Sequence, residues 1–200
     1  MTHSLVASRP HPLTLSACFA LALSALLCFG VSVAQAKSPA ASYMERVAKE
    51  LVRAGRTSSQ GAFYQSILRY ADTRHIGTYS LGIYLPNLKN TRKKAYYDGV
   101  RRFVARYFAA QSRKYHVSRV QVSPNERKNG RSILVDSKIF LSSGTTYKVV
   151  WKLRKAGKGY QIQDARVLGF WLTPFLRSAF VNYVKKNGGD VEKLIVALKR

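Results

Sequence analysis

Ile133-Leu134-Val135-Asp136-Ser137-Lys138-Ile139-Phe140-Leu141, followed after Ser142-Ser143-Gly144 by Tyr147-Lys148-Val149-Val150-Trp151-Lys152-Leu153, decides the fold class. Ile133, Val135 and Ile139 alternate with Leu134, Asp136 and Lys138, and Tyr147, Val149, Trp151 and Leu153 alternate with Lys148, Val150 and Lys152. A period of two belongs to a strand with two different faces, so the stretch predicts an antiparallel pair joined at Gly144. A further strand is expected from about Tyr160 to Leu168, after the turn Ala156-Gly157-Lys158-Gly159, and an earlier one over Val117 to Val122, before Pro124. The result is a meander of about four strands.

On both sides of this sheet the period is helical. Ser42 and Glu45 form a capping box ahead of Met44, Val47, Ala48, Leu51 and Val52, up to Gly55, and Thr57 with Gln60 opens a segment holding Phe63, Ile67, Leu68 and Tyr70. A short helix through Ile76 to Tyr84 is stopped by Pro86. After a Thr91 cap, Tyr96, Val100, Phe103, Val104, Tyr107 and Phe108 make an aromatic face opposite a basic one. Thr173-Pro174 starts a helix with Leu176, Phe180, Tyr183 and Val184, ended by Asn187-Gly188-Gly189. Asp190 caps a last helix with Val191, Leu194, Ile195 and Leu198 on one face. The fold class is therefore α+β: a curved antiparallel sheet of about four strands covered by N- and C-terminal helices. Such a cone is hollow, and any space its side chains leave unfilled is an apolar pocket.

Of the 200 residues 46% are apolar and 12% aromatic, enough to bury a core, while 34 Lys and Arg stand against 9 Asp and Glu. That balance predicts attraction to polyanions: nucleic acid, anionic lipid or acidic polysaccharide. Leu13 to Val33 carries no charge and ends in Ala34-Gln35-Ala36, so residues 1–36 are read as a cleaved secretory peptide. A retained membrane anchor is the alternative, since the run is long enough to span. Leu15-Ser16-Ala17-Cys18 resembles a lipobox, but the apolar run follows the cysteine instead of preceding it. Cleavage removes both cysteines and leaves 33 basic against 9 acidic residues, a net charge of +24 in an extracytoplasmic compartment. Chromosomal DNA is absent there, so nucleic acid is not the expected partner.

Chemistry has few starting points. His75 and His116 stand apart, with no metal-ligand spacing around them, and no nucleophile elbow or phosphate loop is present. The enzymatic alternative is a small-substrate isomerase with Asp136 or Asp164 as acid or base and Tyr147 as hydrogen-bond donor. A second alternative is a pocketless module binding polyanions or an anionic membrane surface through Arg92, Lys93, Arg101, Arg102 and Arg106 on one helix face.

Tyr79-Ser80-Leu81-Gly82-x-Tyr84, Arg92 and the aromatic helix, Val150-Trp151-Lys152-Leu153, Tyr160-x-Ile162-x-Asp164-x-x-Val167-x-Gly169, Arg177-x-x-Phe180 and Gly188-Gly189-Asp190-Val191 with Leu194 follow in that order. Together they resemble the MlaC family, also called the toluene-tolerance auxiliary family, over about Ser42 to Leu198. The resemblance implies a single domain at 37–200 (helical 41–115, sheet 117–169, helical 173–199) with a cone related to nuclear transport factor 2 and cystatin. It implies a periplasmic carrier, without cofactor or catalysis, that holds phospholipid acyl chains between sheet and helices. Its partners would be an inner-membrane ABC transporter complex and an outer-membrane lipoprotein complex. The expected lipid contacts are Leu81, Tyr84 and Leu85 on the helical side, Phe103 and Tyr107 on the helix wall, Val149 and Trp151 on the sheet, and Gly169, Phe170 and Trp171 at the mouth. Many relatives have Val-Ser where this chain has Phe170-Trp171. Bulky aromatics suit a flat polycyclic lipid, which makes a hopanoid the alternative cargo.

Overall fold

Ser38-Pro39 opens the first helix, because a serine oxygen followed by a proline at the first helical position satisfies the free amides and presets φ. The computed structural model describes residues 36–200; the expected signal segment, up to Gln35, lies outside the described residues. Helix α1 spans Pro39–Arg56, and the Ser38 hydroxyl accepts the Ala41 amide at 3.1 Å. It starts three residues before the expected Ser42, which lies inside the helix. Helix α2 (Gln60–Tyr70) is capped by Ser59, which accepts from the Ala62 amide, rather than by Thr57. Thr57 instead closes α1, donating its hydroxyl to the Ala54 carbonyl.

Helix α3 (Thr73–Leu81) begins earlier than Ile76 because the Asp72 carboxylate accepts the His75 amide. It ends at Gly82, whose φ of 58° no helix continues through. Pro86 sits inside a 3₁₀ turn, Gly82–Asn87, and a second such turn, Asn90–Arg92, holds Thr91 and leads into α4 (Lys93–Lys114). The expected Thr91 cap makes no side-chain cap bond.

The sheet has five strands in sequential antiparallel order: β1 (Val117–Asn129), β2 (Ser132–Leu141), β3 (Thr146–Ala156), β4 (Gly159–Val167) and β5 (Phe170–Trp171). The β2–β3 register pairs Val135 with Trp151, Ser137 with Val149 and Ile139 with Tyr147, and the Trp151 indole N–H donates to Ser137 Oγ at 2.9 Å. Strand β1 runs past Pro124 because the pairing with β2 is interrupted between Val122 and Glu126, and such an irregularity tolerates a residue without an N–H. The freed backbone is used: the Pro124 carbonyl accepts the Ser38 amide at 2.9 Å, and Glu126 accepts the Ala40 amide at 3.3 Å. The start of α1 is thereby moored to the sheet. Strand β5 was outside the expected four; two residues carry no readable period.

Helix α5 (Leu172–Lys186) and helix α6 (Val191–Lys199) complete the chain. Asp190 caps α6 as expected, accepting the Glu192 amide at 2.8 Å, and Val191, Leu194, Ile195 and Leu198 are all buried. The core forms three clusters. One packs Leu81, Tyr96, Val100, Leu176, Phe180 and the apolar face of α6. A second lays α1, through Tyr43, Met44 and Val47, on Val122, Ile133, Val135 and Leu153 of the sheet. The third joins Ala54, Phe63, Ile67, Ala105 and Ala109 from α1, α2 and α4.

Candidate functional site

Where the three clusters meet, they leave an apolar cavity of about 70 Å³. Val47 and Leu51 of α1, Ile67 and Tyr70 of α2, Ile76 of α3, and Val100, Val104 and Phe108 of α4 form its helical walls. Trp151, Ile162 and Ala165 form the sheet wall, and Leu172 and Leu176 of α5 close the end. Phe103, Val104, Tyr107, Leu172, Phe175 and Leu176 line a neighbouring crevice of about 10 Å³, so Val104, Leu172 and Leu176 border both spaces.

Two polar ties hold the sheet to the helices at the rim. At one, the Asp72 amide donates to the Ile162 carbonyl at 2.8 Å, Ala71 bridges to Ile162, and the Arg154 guanidinium donates to the Asp72 carboxylate. At the other, the Asp164 carboxylate accepts the Thr173 amide at 3.0 Å, the Thr173 hydroxyl at 2.5 Å and the Ala165 amide at 2.8 Å. Asp164, read above as a candidate acid or base, therefore caps α5 from another element. Asp136, the other such candidate, accepts two hydrogen bonds from Arg127 on the exposed side.

Among the sequence-predicted lipid contacts, Trp151 lines the cavity, and Phe103 and Tyr107 line the crevice beside it. Leu81 is fully buried in the cluster of C-terminal helices, with Tyr84 and Leu85 packed against it. Val149 is buried in the sheet but is not part of the cavity wall. Gly169, Phe170 and Trp171 lie in the β4–β5 hairpin, outside the lining, and the Arg166 guanidinium sits 5.3 Å from the Trp171 ring centre. Most of the wall comes from apolar stripes on α1, α2 and α4 that sequence reading assigned to core. Nothing in a stripe distinguishes a residue facing a void from one facing a neighbour.

The five expected surface cations do not form one free face. Arg92 precedes α4 and is bidentate to Glu192 of α6, with Nε at 2.8 and 2.9 Å, while Arg101 and Arg102 both reach Asp98. Arg106 lies 5.7 Å from the centre of the Phe103 ring, and Lys93 is exposed. Arg101 is the one cation lining the cavity, and its Nε is buried without a hydrogen-bond partner among the described residues. Burial would raise the Asp98 carboxyl, but the Tyr64 hydroxyl at 2.5 Å, together with Arg102 and Arg101, holds it below the usual carboxylate range. Burial pushes the Tyr43 phenol up to about 12; its ring packs on Tyr70 and Tyr160, and its hydroxyl has no hydrogen-bond partner among the described residues.

Among the described residues no helix is long and apolar enough to cross a membrane, and no group of three His, Cys, Asp or Glu is placed to hold a metal ion. The arrangement can enclose apolar matter.

No curated protein sequence matches the chain. Among solved structures it is similar to the phospholipid-binding protein from Ralstonia solanacearum in complex with a phospholipid, at 15% identity and a TM-score of 0.65, covering 81% of this chain and 96% of that one. At that identity the likeness establishes the fold, an open antiparallel sheet covered by helices. The family model described as MlaC protein matches residues 44–200, and the chain belongs to the MlaC family.

Proposed function

We propose that this protein is a phospholipid carrier that shields acyl chains between its sheet and helices. The carrying observation is the apolar cavity at the junction of three separately packed clusters, in a chain of this family whose structural relative holds a phospholipid. Each methylene exposed to water costs about 0.8 kcal/mol, so a lipid leaves a bilayer for solution only when something covers its tails. At about 70 Å³ the cavity is smaller than the ~150 Å³ void that admits one benzene and far below the ~300–1,000 Å³ of ligand pockets. Loading therefore parts the clusters along their seam. Leu51 packs on two of the clusters and so does Val104, so opening the seam exchanges their contacts for contacts with acyl chains. Arg101, the cation at the cavity wall, is the residue proposed to meet the lipid phosphate.

The compartment is the periplasm. There the carrier exchanges lipid with an inner-membrane ABC transporter complex and an outer-membrane lipoprotein complex, and its net positive charge favours anionic membrane surfaces. A transfer assay tests carriage. With labelled phospholipid in donor vesicles, the protein should move label to acceptor vesicles in proportion to its concentration. Label that stays with the donors at every concentration contradicts the proposal. The same assay with labelled hopanoid decides between the two cargoes.

A further inference from the structure

The hairpin between β4 and β5 exposes apolar side chains in an unusual way. Its turn is Leu168-Gly169, with φ of 52° and 87°. Glycine takes such angles freely, but a leucine there is strained, and this one is 65% exposed. Beside it Phe170 is 78% exposed and Val167, its partner across the ladder, is 41% exposed. In the first turn of α5, Phe175 is 55% exposed. Bulky apolar groups clustered at a strained tip mark an interaction surface.

Position and charge name the occupant. The residues flanking the hairpin, Asp164 and Ala165 before it and Leu172 and Thr173 after it, line the cavity, and Phe175 lines the adjoining crevice. From Ala165 to Gly189 there is no acidic residue, while Arg166, Arg177, Lys185 and Lys186 are basic. Apolar side chains that enter the acyl boundary, on a stretch of chain with basic and no acidic residues and with Arg166 in the hairpin itself, are the combination that holds a protein on an anionic bilayer. We propose that Leu168, Phe170 and Phe175 insert into an anionic phospholipid surface and so seat the rim of the cavity on the membrane. This goes beyond carriage, since a protein could carry lipid while receiving it only from a protein partner.

Sedimentation with vesicles of equimolar phosphatidylglycerol and phosphatidylcholine tests it. Phe170→Ser should weaken binding roughly five- to ten-fold with unchanged thermal melting. Leu168→Gly separates insertion from folding: it should weaken vesicle binding while leaving melting equal or higher, because the strain is relieved. Part of the parent's binding should persist in about 0.5 M salt, where purely ionic attachment fails. Equal binding by parent and Phe170→Ser overturns the proposal. So does failure of the parent to bind these vesicles, which would make the hairpin a contact for a protein. Phospholipid that co-purifies with all variants while vesicle binding is lost leaves the carrier reading intact; co-purified lipid absent from the parent removes that reading alone.

Discussion

Asp164 shows how a single side chain joins the sheet to the helices. Its carboxylate takes the Thr173 amide and hydroxyl, so the free N-terminus of α5 is satisfied by β4, from the far side of the hairpin. Replacing Asp164 with Ala strands those donors and removes a negative charge from a helix start, which should destabilise the fold by about 1–2 kcal/mol in urea denaturation. Asn, which keeps an acceptor, should recover part of the loss. An Ala variant as stable as the parent would mean the tie carries no energy. This residue also marks a limit of sequence reading. The Asp190 cap of α6 was legible because donor and acceptor are two residues apart, whereas the Asp164 cap depends on a chain reversal that no local pattern encodes. The same reversal changed how Phe170 and Trp171 are placed, since a tight turn at Leu168-Gly169 carries them along β4 and out of the cavity wall.

At the scale of elements, alternation and helical period located the sheet and the flanking helices because each element has one apolar face. Boundaries went astray where caps competed: Ser38 prevailed over Ser42 because proline follows it, and Ser59 over Thr57. Helix α4 was read as having one aromatic face, yet it is buried on more than one side, with Tyr96 and Val100 toward α6 and Ala105 and Ala109 toward α2. Gly99 makes this possible, since a Cβ there would stand 2.9 Å from Leu198 Cβ. Between those packed sides Val104 borders both the cavity and the crevice. Val104→Trp should therefore fill existing space. We expect melting within about 1 kcal/mol of the parent, at the tolerant end of the range for enlarging a core side chain, because there is a void to receive the ring. Phospholipid co-purifying with the variant, quantified after solvent extraction, should fall at least about five-fold. A stable variant with full lipid content would place the acyl chains elsewhere.

For the whole molecule, opposing features sit on one chain: a net positive charge and an apolar seam that is not fully packed. The composition made the first legible, and the hollow cone followed from fold class. The walls of the seam did not, because they come from α1 to α5 and the sheet at once, and whether an apolar stripe faces a neighbour or a void is settled only when all are assembled. Trp151 was legible as a wall residue because it stands on the inward row of the strand that decides the fold, opposite Val135. Native mass spectrometry shows whether the seam between the three clusters opens to hold phospholipid tails. The protein should be purified from its native source without detergent, with bound species identified after solvent extraction. A protein–lipid complex from which a phospholipid is released is expected, with loss of that complex in Val104→Trp. A homogeneous lipid-free protein that takes up no phospholipid from vesicles would contradict it.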